Sequence, residues 1–171
     1  MAPETQWAAG VADVRGTVAA AVRAVTDAAG PADPAGAAGL PGGAGGAGGG
    51  AGAHAVRLQL PQGLPPVVAD GPELGRAVAE LVGHAVRRSP PGVRVLVRAA
   101  VAAGADGRLD RVEIRIVDRG TSVPGGARYW STGGLPGGPA VSALLRAAGA
   151  RIGVEETPGG GLTAVLVLRL A

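Results

Sequence analysis

Between Asp70 and Gly92 the chain reads DGPELGRAVAELVGHAVRRSPPG, and this stretch restricts the fold more than any other. Leu74, Val78, Leu81 and Ala85 recur at three- and four-residue intervals, the spacing that lines up one face of an α-helix. Glu80, His84 and Arg87 recur at similar spacing on a neighbouring face. One face can bury itself and the other can present chemistry. Pro72 suits the first turn, where its missing N–H costs little, and the run Ser89-Pro90-Pro91-Gly92 cannot continue a helix.

Whatever covers that apolar stripe must be assembled without bulky rings. The chain has 171 residues, no Phe, one Tyr and two Trp, so its core has to come from Val, Leu, Ile and Ala. Such a core buries less area per residue than an aromatic one, and modest stability is expected. The 32 glycines and 14 prolines argue that part of the chain is unpacked. They concentrate between Gly30 and Ala53, around PGGAGGAGGGAG, where there is too little apolar surface to offset the entropy of ordering. That segment is expected to be a flexible linker.

All sixteen basic residues are arginine, and the net charge is only +3, weak evidence for a nucleic-acid partner. With no cysteine there is no disulfide, thiolate metal site or cysteine nucleophile, and His54 and His84 are the only histidines. No stretch approaches the apolar length needed to span a bilayer, and the amino terminus lacks a signal-like pattern. The expectation is a soluble, cytoplasmic protein.

In chain order, Val11, Val14, Val18, Val22 and Val25 predict a helix over about 11–28. Val56, Leu58 and Leu60 alternate with polar residues as one strand, and Val67 to Asp70 is a short extended lead into the central helix. Val93, Val95 and Val97 alternate with Arg94, Leu96 and Arg98. Val112, Ile114 and Ile116 alternate with Arg111, Glu113 and Arg115, and the turn residues at 105–107 make the pair a hairpin. A second covering helix falls at 140–148. Strands at 151–155 and 162–170 are joined by a turn through Gly159, Gly160 and Gly161. Alternation with one wet face predicts a two-layer α/β sandwich, an α+β arrangement with a mixed sheet and helices on one side only.

Four blocks, in order, carry a resemblance: LPPVVADGPEL, ELVGHAVRRSPPG, VEIRIVDRGTSVP and RIGVEETPGGGLTAVLVLRL. From about Trp7 to the end the chain resembles the ATP-binding domain of sensor histidine kinases, within the GHKL ATPases, nearest the potassium-sensing KdpD type. The resemblance implies that fold, with an N-terminal helical segment at 1–29, the linker at 30–53 and the ATPase-like domain at 54–171. It also implies an ATP site. Glu80 takes the position of a general base. His84 stands where the family has a magnesium-binding Asn, and Arg87 stands where a basic residue meets phosphate. Asp118 takes the place of the carboxylate that accepts from the adenine amine, with Gly120 beside it and Ser122 at the family's second glycine. Gly133 and Gly137 belong to the phosphate-cradling loop, which Pro136 interrupts, and Thr163 joins the nucleotide set from the last block. Tyr129 and Trp130 either cap the nucleotide or cover the thin core.

Imidazole is a poor substitute for a hard oxygen ligand, so magnesium binding is expected to be impaired. Pro136 donates no N–H, so phosphate affinity should fall. His54 lies outside any phosphoacceptor-like sequence, and a dimerising helical hairpin is not expected here. The adopted reading is a histidine-kinase-like ATP-binding domain with weakened magnesium and phosphate contacts, acting in signalling with a protein partner. The alternative is a non-catalytic pseudo-ATPase used as an interaction module. A nucleic-acid surface at Arg94, Arg98, Arg111 and Arg115 is least favoured, because it lacks interleaved aromatics and Glu113 interrupts it.

Overall fold

The computed structural model describes residues 10–28, 56–90, 92–120 and 138–171. Expectations that fall on the linker, on His54, on Ser122, Gly133, Pro136 and Gly137, and on Tyr129 and Trp130 lie outside the described residues.

The first helix starts later than its valine spacing predicts. Val11–Ala12 form a short strand, β1, and α1 runs Val14–Ala28. The reason is Asp13, whose carboxylate accepts from the amides of Arg15 at 3.0 Å and Gly16 at 3.1 Å and so caps the helix one residue before Val14. Val11 is consequently not on the buried stripe but 68% exposed. Val14, Val18, Ala21 and Val22 form that stripe.

Strand β2 is Val56–Gln59 and β3 is Val67–Val68; β1 and β3 pair antiparallel, Val11 with Val68 and Ala12 with Val67. The central helix, α2, is Gly71–Arg88. Asp70 caps it by accepting from Glu73 N at 3.0 Å, and the Ser89 amide closes it on Ala85 O at 3.0 Å. Leu74, Val78, Leu81 and Ala85 are all buried, as their spacing requires.

Strands β4 (Val95–Ala103) and β5 (Leu109–Val117), helix α3 (Gly138–Ala147), and strands β6 (Arg151–Glu156) and β7 (Leu162–Arg169) complete the domain. The main sheet has the order β2-β4-β5-β7-β6, with β2 parallel to β4 and every other pairing antiparallel. It is therefore mixed, with α1, α2 and α3 on one face. Val95, Val97, Val112, Ile114, Ile116, Leu166 and Leu168 bury that face against the helices, and no aromatic side chain enters the described core.

Two strand expectations need correction. Leu58 is 39% exposed rather than buried, because β2 is a four-residue edge strand with a single neighbour. Arg94 and Val93 precede β4, and Val93 is 37% exposed.

Candidate functional site

The site forms where β5 ends, β7 begins and the last turns of α2 cross above them. Asp118, the residue after β5, is a carboxylate only 5% exposed. Its amide donates to Leu162 O at 2.9 Å, continuing the β5–β7 ladder by one step. Its Oδ1 accepts from two backbone amides, Gly120 N and Leu162 N, each at 3.0 Å. Oδ2 lies 3.4 Å from Arg88 Nε, at the C-terminal end of α2. One oxygen is thus committed to the fold, while the other faces a cation at the cleft.

Two glycines make this approach geometrically feasible. Gly161 has φ +99°, and a Cβ there would collide with the Asp118 carbonyl oxygen and lie 2.7 Å from Oδ1. At Gly120 a Cβ would sit 2.9 Å from Arg88 O, so this glycine lets the strand end tuck under the last turn of α2. The glycine run before β7 is therefore more than the tight turn legible in sequence. It lets the β7 backbone press against the aspartate.

The cleft above Asp118 is small, about 20 Å³, and is lined by Leu81, His84, Ala85 and Arg88 of α2, facing Ile116, Val154, Leu162 and Ala164 of the sheet. Apolar walls with a few convergent polar groups are the usual make-up of a small-molecule site. His84 is half-buried, and its pKa is held below the ordinary 6.5, first by burial, then by the positive charges of Arg88 and Arg87, with Asp118 opposing. At neutral pH the imidazole is uncharged.

The expected site residues do not all meet here. An α-helix turns about 100° per residue, so Arg88 lies roughly 40° from His84 on the side of Leu81 and Ala85, whereas Arg87 falls about 60° the other way and Glu80 about 40° the other way. His84 accordingly reaches the Asp118 cleft. Glu80 and Arg87 line a separate groove against α1, with Ala24, Val25 and Ala28 on its far wall. Thr163 is directed to the opposite face of the sheet, where its hydroxyl is 2.9 Å from that of Thr157. Asp118 and Gly120 stand together as the sequence reading has them. Arg88 and Gly161 were not singled out for the site. The signal for Arg88 was its place on the side of Leu81 and Ala85, the buried stripe of the helix, whereas Glu80 and Arg87 fall on the other side of His84.

Among the described residues no group of three or more acidic or imidazole side chains is placed to hold a metal ion. The donor set around the cleft fits magnesium poorly on chemical grounds. The side chain at the expected ligand position is an imidazole flanked by two arginines, and magnesium prefers oxygen.

Residues 69–171 match the family model described as Histidine kinase-, DNA gyrase B-, and HSP90-like ATPase. The chain belongs to that family. Its fold is shared with solved members of histidine kinases. A mycobacterial sensor histidine kinase, MprB, is 18% identical with a TM-score of 0.63, over 94% of this chain and 97% of that one. The ATP binding domain of PrrB from Mycobacterium tuberculosis is 21% identical with a TM-score of 0.61, over 95% and 97%. Full-length ShkA in complex with AMPPNP is 22% identical with a TM-score of 0.58, over 95% of this chain and 31% of that one. No curated protein matches the sequence. Among the described residues no helix is long and apolar enough to cross a membrane.

Proposed function

We propose that this member of the ATPase family binds an adenine nucleotide in the cleft above Asp118, with weakened magnesium and phosphate contacts, and acts in a signalling complex. The observation that carries the reading is the buried Asp118 carboxylate, one oxygen anchored by two amides and the other turned toward the cleft. An adenine amine would donate to that second oxygen, entering beside Arg88, while Leu81, Ile116, Val154 and Leu162 flank the ring. Gly120 would stand beside the base, and residues 54–171 would form the nucleotide-binding unit. The solved relative ShkA, in complex with AMPPNP, is consistent with a nucleotide site in this fold.

One observation favours the reading of binding without turnover. Glu80, the candidate general base, lines the α1–α2 groove rather than the described cleft, and His84 offers no hard ligand for a metal that would bridge phosphates. On this reading the domain responds to nucleotide by changing what it holds, as an interaction module.

The test is displacement of a fluorescent ADP analogue by unlabelled ATP, ADP and GTP, with and without magnesium. ATP and ADP should displace it, GTP should not, and magnesium should change the midpoints less than threefold. Failure of either adenine nucleotide to compete would overturn the reading.

A further inference from the structure

The sheet face turned away from the helices concentrates more positive charge than the whole molecule carries. Period-two alternation and the strand register put Arg57, Arg98, Arg111, Arg115, Arg151 and Arg169 on this face, against Glu113 and Glu155. Six arginines and two glutamates leave a surplus of four positive charges, while the entire chain is only +3. The rest of the surface is therefore slightly acidic.

The arrangement is also internally unfavourable. Arg98 is paired directly with Arg115 across β4 and β5, and Arg111 with Arg169 across β5 and β7. Like charges directly opposite one another destabilise a sheet. Arg115 is relieved by Glu155 at 3.0 Å and Glu113 at 3.1 Å, and Glu113 also approaches Arg111 at 3.8 Å. Arg57, Arg98, Arg151 and Arg169 are exposed, and among the described residues no carboxylate pairs with them.

Leu96, Val117 and Val167 lie among these arginines, stepping from β4 to β7 past Arg115; all three are half-buried, while Val165, directly opposite Arg115, is only 6% exposed. From strand and residue spacings the run is about 17 Å long, roughly three helical turns. Arg98 and Arg111 border it on one side and Arg151 on the other. Among the described residues the face carries no aromatic side chain to stack a base, which does not suit a nucleic acid.

We propose that this face is a docking surface for an acidic amphipathic helix of a partner protein, its apolar stripe laid along Leu96, Val117 and Val167 and its carboxylates meeting the exposed arginines. The docked helix would give the sheet a second helical layer and relieve the arginine pairs at once.

The probe is a labelled eighteen-residue peptide with leucines at helical spacing and glutamates on both flanks, titrated with the full chain by fluorescence anisotropy. Binding should be saturable, fall about tenfold between low and physiological salt, and fall at least tenfold in the R98E/R151E variant. The control R15E/R23E, which reverses exposed charges on α1, should bind as the parent does. Melting curves must show both variants folded; should R98E/R151E unfold, R98Q/R151Q gives the same comparison. No saturable binding, equal loss in the α1 control, or tighter binding of duplex DNA or phosphatidylserine vesicles than of the peptide would each overturn the proposal.

Discussion

Replacing Asp118 by Ala and by Asn separates what this residue does for the fold from what it does for a ligand. In Asp118→Ala two amides, Gly120 N and Leu162 N, lose a charged acceptor at 3.0 Å in a place nearly closed to water, and Arg88 loses its partner at 3.4 Å. Bonds to a charged acceptor contribute about 1.5–3 kcal/mol each, and orphaned buried donors add desolvation cost, so the loss should be about 3–5 kcal/mol. Asp118→Asn keeps a carbonyl oxygen for both amides and gives up only the charge. The Arg88 side chain is 21% exposed, so solvent screens the lost attraction and the cost should be about 1–2 kcal/mol. At roughly 3–4 °C per kcal/mol for a chain of this size, Asp118→Ala should melt about 10–15 °C below the parent and Asp118→Asn about 5 °C below. Urea unfolding of the three proteins gives the free energies directly. If Asn is as damaging as Ala, the amides do not anchor Oδ1 as described.

Gly161→Ala should cost at least about 3 kcal/mol in the same unfolding assay, because the new Cβ meets Asp118 backbone at φ +99°, whereas Gly159→Ala, at φ +87° with its nearest atom 3.8 Å away, should cost only about 1 kcal/mol of backbone strain. Comparable losses would remove the close approach of β7 to Asp118 from the account. Stability should also depend on His84 as pH falls. Its folded pKa lies below the ordinary 6.5, so just below that value the unfolded chain binds the proton that the folded one refuses. Unfolding free energy should be level above about pH 7 and decline as pH falls through 6.5, and His84→Gln should flatten the decline. An unchanged slope in that variant would contradict the burial and arginine neighbours assigned to this imidazole.

The sequence made the layers legible because three signals agreed there. The stripe at Leu74, Val78, Leu81 and Ala85 had Pro72 in its first turn and a Pro-Pro stop after it. The alternation in β4 and β5 matched a sheet with one wet face, and the family blocks fell in order. Errors arose where a local device overrode a pattern. Val11 continues the valine spacing, but Asp13 caps the helix and sends Val11 into a strand. Leu58 alternates correctly, yet it lies on a short edge strand and is 39% exposed.

At the site, chemistry was easier to read than orientation. Asp118 and Gly120 are one segment, so their adjacency follows from chain order. Glu80, His84 and Arg87 looked like one face because intervals of four and three seem alike in sequence. On the helix Glu80 and Arg87 fall together on one side of His84, and the cleft takes the other side, which carries Arg88. The contact between Gly161 and Asp118 spans two strands and could be found only once β5 and β7 were known to pair.

Isothermal titration calorimetry of ADP against the parent and Asp118→Asn, the variant that should keep its fold, tests the central claim most directly. The account predicts weak binding to the parent, with Kd on the order of 10–500 μM, and at least a tenfold loss in Asp118→Asn, where an amide donor would face the adenine amine. Equal affinity for the two proteins, or no heat of binding to the parent at millimolar ADP, would contradict it.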